Sequence, residues 1–202
     1  MKNDKYLIVV SGPAGTGKDT VVNRLRQKHP EIGISISATT RAPRGTEQEG
    51  VDYFYLSNPQ FEEWIRDDKL VEYTNYCGNY YGTPRAQIEE RISKGIYVVL
   101  VIEVEGAANI KRQYPDSTTI FICPPSMEEL ENRLRGRGTD TPEKVQKRLL
   151  RAQVELKNAS DYNYFVINDT VDKAVEELRA ILCAEHCKPA ERMEYILNGK
   201  EM

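Results

Sequence analysis

Hydrophobic and polar positions change period repeatedly along the chain, and the changes mark out its elements. Tyr6-Leu-Ile-Val-Val10 is a continuous apolar run of strand length, and Thr16 to Lys28 has helical spacing closed by His29-Pro30. Ile32 to Ala38 alternates apolar with small or polar residues, which predicts one short strand. Ile96 to Ile102, Thr118 to Ile122 and Tyr164 to Ile167 are β-branched or aromatic runs, each followed by a helix-start signal. This repeated order predicts an α/β fold, a parallel sheet with helices on both faces, since parallel neighbours need crossovers and doubly covered strands are apolar throughout.

Helix starts are read at Asn58-Pro59, Thr83-Pro84 and Thr141-Pro142, each placing a capping side chain before a proline, and at Ser126-Met-Glu-Glu129, which has capping-box spacing. Two stretches break the alternation. Between Arg41 and Thr83, short strands at Val51 to Leu56 and Leu70 to Cys77 flank a small helix, predicting an inserted α+β module. Between Ser126 and Lys157 a helical hairpin is predicted, joined by Arg135-Gly-Arg-Gly-Thr-Asp140, which is too glycine-rich for a core. The tail after Cys187 reads as a short surface helix.

Composition narrows the field of functions. The 202 residues suit one domain or one core with insertions, and a net charge of −3 argues against binding nucleic acid or an acidic membrane through bulk charge. No apolar run approaches the ~20 residues of a bilayer span, and Met-Lys-Asn-Asp-Lys lacks a signal peptide's apolar stretch, so a cytosolic protein is expected. Cys77, Cys123, Cys183 and Cys187 are too scattered for a disulfide framework; Cys183, His186 and Cys187 offer a metal corner or, more simply, one half-buried helix face. The charge is uneven: residues 133–151 carry seven basic against two acidic side chains, and residues 45–110 five against twelve.

Chemistry enters after the first strand, with Gly12-Pro13-Ala14-Gly15-Thr16-Gly17-Lys18-Asp19-Thr20. A complete G-x-x-x-x-G-K between strand and helix predicts a phosphate-binding loop: backbone N–H groups converge on phosphate oxygens, the helix N-terminus adds positive charge, and Lys18 reaches the outer phosphates. The hydroxyl residue usual after the lysine, a ligand of Mg²⁺, is Asp19 here. Either Thr20 or water takes over its task, or Asp19 faces the metal's water shell. Downstream, Ser37-Ala-Thr-Thr-Arg41-Ala-Pro-Arg44 sets two guanidinium forks among hydroxyls, and Gly50-Val-Asp-Tyr53 and Gly78-Asn-Tyr-Tyr81-Gly-Thr83 add phenols suited to a phosphate's remaining oxygens.

These segments, with Arg-Gly-Arg-Gly-Thr-Asp and Val-Ile-Asn-Asp, resemble the successive signatures of guanylate kinases, in the same order and spacing over roughly residues 5 to 185. The resemblance implies a P-loop three-layer fold with a five-stranded parallel core (5–35, 93–125, 159–187), a GMP-binding insertion at about 36–92, a lid at about 126–158 and a helical tail at 188–202. It implies transfer of the γ-phosphate of ATP to GMP, and also to dGMP, in purine nucleotide metabolism, with Mg²⁺, by a monomer or small homo-oligomer. Gly12 to Thr20, Arg133 and Asn168 would bind ATP. Arg41, Arg44, Tyr53 and Tyr81 would hold the GMP phosphate, while Ser37, Glu72, Gly82, Thr83 and Glu103 would surround guanine. Lys18, Arg41, Arg137 and Arg148 would serve the transferring phosphoryl group. Independently, a carboxylate such as Glu72 suits guanine, whose N1–H and exocyclic amine are adjacent donors, and repels adenine, whose N1 is an acceptor. Glu72 alone would equally read as the exposed face of an alternating strand.

The chain departs from the family pattern at three places. Val101 stands where an acid is usual two residues before Glu103, Glu105 where glutamine is usual, and Asp19 follows the lysine. One expectation links two of them: Asp19 supplies the carboxylate near Mg²⁺ and Lys18 that Val101 cannot. Rival readings are a P-loop kinase of a ribose phosphate, suggested by Gly17-Lys18-Asp19, and a non-catalytic guanylate-kinase-like binding module. The first leaves Ser37, Glu72, Thr83 and Glu103 unexplained, and the second fits poorly with an intact phosphate loop.

Overall fold

The apolar run near the N-terminus forms β1, Leu7–Ser11, and its side chains divide between two cores. Ile8 and Val10 join Val21, Val22 and Leu25 of α1, Lys18–Lys28, and Ala174, Val175 and Leu178 of α7, Val171–His186. Leu7 and Val9 pack instead with Ile88 and Ile92 of α3, Arg85–Ser93, and Ala107 and Ile110 of α4, Val104–Gln113. A strand placed between two helical layers buries every residue, which is why period 2 is absent from its sequence. The computed structural model describes residues 4–76, 78–136, 138, 140–189 and 193.

The core sheet has five parallel strands in the order β2 (Gly33–Ile34), β7 (Val98–Val101), β1, β8 (Thr118–Cys123), β9 (Tyr164–Ile167). A second sheet of four strands, β4 (Tyr53–Tyr55), β3 (Ser37–Thr39), β6 (Asn79–Pro84) and β5 (Leu70–Tyr76), lies between β2 and β7 in sequence, with α2, Asn58–Arg66, crossing from β4 to β5. Helices α5, Met127–Gly136, and α6, Pro142–Lys157, form the hairpin between β8 and β9 around Leu130, Leu134, Val145, Leu149 and Ala152.

Several boundaries differ from the sequence reading. The single strand expected over Ile32 to Ala38 is two, β2 in the core sheet and β3 in the smaller one, because the chain changes sheets at Ser35-Ile36 without losing its alternation. The cap of α2 is Ser57, not Asn58: Ser57 accepts from the Gln60 N–H and Gln60 Oε1 accepts from the Ser57 N–H, a reciprocal pair only that spacing completes. Thr83 caps nothing; Pro84 takes the N-cap position of α3 while the Thr83 hydroxyl donates to Glu72. Ser126 accepts from the Glu129 N–H, but the Glu129 carboxylate goes to Arg133 rather than back to Ser126. Thr141 caps α6 as expected. The tail from 190 lies, but for Met193, outside the described residues.

Candidate active site

The phosphate loop joins β1 to α1. Gly12 has φ 143, and a Cβ there would sit 2.1 Å from the Ile122 carbonyl oxygen, so only glycine lets the loop run against β8. Lys18 is buried; its ammonium donates to the carbonyls of Gly12 (2.5 Å) and Pro13 (3.2 Å) and lies 3.7 Å from Glu103 Oε1. The carboxylate beside Lys18 is therefore Glu103, at the end of β7, rather than Asp19. Asp19 and Thr20 are exposed on the first turn of α1 and line the adjoining cleft. Behind the loop, the Thr16 carbonyl accepts from Asn168 Nδ2 (2.8 Å) and Arg133 Nη1 (3.3 Å), and Arg133 Nη2 donates to the Asn168 carbonyl. Asn168 is thus a buried brace of the loop. Arg133 also lines a shallow depression with Pro125, Ser126, Asn132 and Asp169.

Across the cleft stands one face of the smaller sheet. Strand pairing sets Ser37 beside Tyr53, Thr39 beside Tyr55 and Tyr81, Thr74 beside Tyr81 and Glu72 beside Thr83, so polar side chains of all four strands share a face. The other face carries Ala38, Phe54, Leu70 and Tyr80 against Phe61 and Trp64 of α2. Leu70 and Glu72 would share a face in a regular strand; the bulge between them turns Leu70 into the apolar layer and Glu72 toward the cleft. Gly82 lines the cleft too, and a Cβ there would meet the Phe61 ring at 2.9 Å, so its bareness serves packing under the sheet.

Glu72 is buried, not on an exposed strand face, and accepts from the Thr83 hydroxyl at 2.6 Å. Thr83 is fully buried and holds Glu72 from behind. A Cβ on Gly106 would come within 2.6 Å of Glu72 Oε2, so the bare backbone of α4 makes room for the carboxylate. Burial, above all, pushes the Glu72 carboxyl up to about 7; the Thr83 hydroxyl opposes this, and the neighbouring Glu103 and Glu105 carboxylates reinforce it. Glu105 accepts from the Thr74 hydroxyl at 3.3 Å.

Arg41 is 8% exposed, with its guanidinium over the Tyr53 ring at 5.2 Å and Tyr81 beyond, 6.3 Å from Tyr53 between ring centroids. It donates to both oxygens of Glu47 (2.9 and 3.0 Å) and to the Ala42 carbonyl (2.7 Å). Burial alone would make the guanidinium easier to deprotonate; the Glu47 carboxylate overrides this and holds the proton more firmly. Tyr53 is kept protonated chiefly by burial, then by the Asp19 carboxylate and Tyr81. Arg44 lines the same cleft.

The hairpin adds Arg148 from α6, ion-paired with Asp140 at 3.1 Å and lining the cleft. Arg137 lies outside the described residues. Arg135 is exposed and paired with Glu131, off the cleft as its helical position implies. Arg151 projects onto the Tyr76 ring of β5 at 4.7 Å and donates to Glu155 at 2.7 Å, tying the hairpin to the smaller sheet. One cleft of about 230 Å³ is therefore lined by Lys18 and Asp19, by Ser37, Arg41, Arg44, Tyr53, Glu72 and Tyr81, by Glu103, and by Arg148.

Glu47 is a cleft residue that the sequence reading missed, and so is the contact of Arg151 with Tyr76, of which Tyr76 lines the cleft. Glu47 follows Arg44 by three residues, an acid among basic residues that could have drawn notice; nothing in sequence joins Tyr76 to Arg151. Cys183 and Cys187 are exposed at the end of α7, and the His186 ring packs at 5.3 Å from Tyr97. Among the described residues no cluster of His, Cys, Asp or Glu forms a metal cage, and no helix is long and apolar enough to cross a membrane. The oxygens of Asp19, Thr20 and Glu103 on the cleft wall are hard donors that suit Mg²⁺ held mainly by phosphates and water.

A family model described as guanylate kinase matches residues 4–185. The chain is 43% identical over 198 residues to a guanylate kinase of Desulfitobacterium hafniense, covering 98% of both chains. It is 45% identical over 199 residues to one of Clostridium perfringens strain 13, covering 98% of this chain and 92% of the relative. A crystal structure of guanylate kinase from Anaplasma phagocytophilum superposes with a TM-score of 0.77 at 30% identity, over 97% of this chain and 96% of that one. With a phosphate loop, a guanidinium-lined face and a buried carboxylate meeting in one cleft, and relatives this similar over nearly its whole length, the chain belongs to the guanylate kinase family.

Proposed function

We propose that this chain transfers the terminal phosphoryl group of ATP to GMP, and also to dGMP, giving ADP and the nucleoside diphosphate. One observation carries the reading: a buried carboxylate, Glu72, stands in the same cleft as the phosphate-loop lysine, with two arginines and two tyrosines beside it. A guanine base offers Glu72 two adjacent donors, and its 5′-phosphate fits Arg41, Arg44, Tyr53 and Tyr81.

The acceptor oxygen of GMP is already anionic, so no general base is needed, and catalysis reduces to positioning and charge neutralisation. Lys18 exchanges its loop carbonyls for phosphate oxygens and follows the migrating group. Arg148, and Arg137 as the family resemblance implies, neutralise charge developing on the equatorial oxygens, and closure of the hairpin excludes water that would otherwise hydrolyse ATP. Asp19 and Thr20, on the cleft wall, would hold the hydrated Mg²⁺ that accompanies ATP, which would supply further neutralisation of phosphate charge. Arg133 stands by the adenine, while Asn168 acts through the loop it braces.

ADP release measured with GMP, dGMP, AMP and ribose 1,5-bisphosphate as acceptors tests the reading. Release with the guanine nucleotides only is expected. Release with the ribose phosphate, or no release with any of the four acceptors, would replace this function with one of its rivals.

A further inference from the structure

The acceptor phosphate site contains an acid that the foregoing chemistry does not use. Glu47 is three-quarters buried, and its carboxylate receives four hydrogen bonds: Oε1 from Arg41 Nη2 (3.0 Å), and Oε2 from Arg41 Nη1 (2.9 Å), the Arg44 backbone N–H (2.7 Å) and the Tyr55 hydroxyl (2.9 Å). A carboxylate has about four lone-pair sites, two on each oxygen; here Oε2 is crowded by three donors of the protein and Oε1 accepts from Arg41 alone.

The donor count on Arg41 is complementary. Of five guanidinium N–H groups, two go to Glu47 and one to the Ala42 carbonyl. The Nε–H and the second Nη2–H, which share one edge of the fork, have no partner among the described residues, although the side chain is 9% exposed. Tyr53 covers one face of the guanidinium. Its end is fixed by Glu47, its face by Tyr53, and its remaining edge is a two-pronged donor in the cleft.

We infer that Glu47 is a positioning residue for the acceptor phosphate, clamping Arg41 from the far side so that the free edge of its guanidinium meets the phosphate already oriented. The inference rests on the proposed GMP reading of this cleft. Fixing an arginine's long side chain costs rotamer entropy, and the clamp removes that cost before the ligand arrives. The same carboxylate fixes the Arg44 backbone and the Tyr55 ring, so one acid organises the loop between β3 and β4. Its negative charge works against a phosphate, but the guanidinium stands between them, and a bidentate fork rewards orientation more than diffuse charge.

The test compares GMP with guanosine, which shares the base and lacks the phosphate, in the wild type, Glu47→Gln, Glu47→Ala and Tyr55→Phe. Glu47→Gln is expected to raise KM for GMP several-fold and Glu47→Ala roughly tenfold or more, the scale of one lost charge-assisted bond. Tyr55→Phe, which removes one of the four donors, should raise it about twofold. In each variant kcat at saturating GMP, KM for ATP and guanosine affinity should stay near wild type. An unchanged or lower KM for GMP would overturn the inference, showing a carboxylate that is inert or competes with the phosphate. Parallel losses for GMP and guanosine would also overturn it, showing only structural support. If Glu47→Ala does not fold, Glu47→Gln and Tyr55→Phe carry the comparison. If the wild type itself binds GMP no more tightly than guanosine, the acceptor reading of the cleft fails, which is a separate result.

Discussion

Glu72 joins two demands that pull in opposite directions. To accept from guanine it must be ionised, yet burial beside Glu103 and Glu105 pushes its carboxyl up to about 7. Binding therefore releases a proton over the lower pH range, and guanosine affinity should rise as pH increases through about 7 and level off above it. Guanosine rather than GMP is the ligand to titrate, since it has no phosphate of its own to ionise. Stability runs the other way. The folded state holds this proton more tightly than the unfolded chain, so it loses stability as pH climbs from the ordinary carboxyl range through 7, and the loss persists above. Glu72→Gln should remove that cost, stabilising the protein by roughly 2 kcal/mol more at pH 8 than at pH 5 in urea unfolding while abolishing guanosine binding. Stabilisation equal at both pH values would refute the account. For Lys18→Met the expectation is a fall in kcat of about a hundredfold or more, with GMP affinity nearly intact, because the lysine meets the donor phosphates and not the acceptor.

At the scale of elements, the smaller sheet works because its two faces are chemically different. Ser37, Tyr53, Glu72 and Tyr81 face the cleft, while Ala38, Phe54 and Leu70 face α2. The bulge in β5 lets one strand serve both, since period 2 alone would send Leu70 and Glu72 the same way. Gly82 sits where the two layers come closest. Gly82→Ala should cost about 1–3 kcal/mol in urea unfolding by driving a methyl group into the Phe61 ring and the β5 backbone. Gly45, with nothing within 4 Å of its Cβ position but φ of 54, provides the contrast: alanine there should cost about 1 kcal/mol through backbone strain alone. Equal costs with no change at Phe61 would mean that the sheet and α2 are looser than they look.

Across the whole molecule, three bodies of the chain meet at one cleft, and polar contacts join them, among them Thr74 with Glu105, Gln113 with the Val71 carbonyl and Arg133 with the Thr16 carbonyl. The clearest is Arg151 over Tyr76, between the hairpin and the smaller sheet, with Glu155 holding the guanidinium from behind. A double-mutant cycle of Arg151→Ala and Tyr76→Leu should give a coupling of about 0.5–1 kcal/mol in unfolding free energy, the range of a partly exposed cation–π pair. A coupling near zero would show that hairpin and sheet meet without holding each other. The uneven charge of the sequence acquires a place at this scale. The basic stretch 133–151 includes Arg148 on the cleft, and the acidic stretch 45–110 includes Glu47, Glu72 and Glu103 on its other walls.

By itself the sequence determined what short-range patterns encode: the order of strands and helices, the phosphate loop, and the stock of arginines, tyrosines and carboxylates that the cleft draws on. Spacing was enough because a buried strand, a glycine-rich turn and an amphipathic helix each leave a signature within a dozen residues. Tertiary structure decided which of those groups touch. It paired Lys18 with Glu103 rather than Asp19, put Thr83 behind Glu72 instead of at a helix cap, and set Asn168 under the phosphate loop. It also gave the Glu47 carboxylate four donors and laid Arg151 across Tyr76. Each of these depends on a strand's register, a bulge or the approach of segments distant in sequence, and a side chain's alternatives become unequal only when the fold removes water from all but one of them.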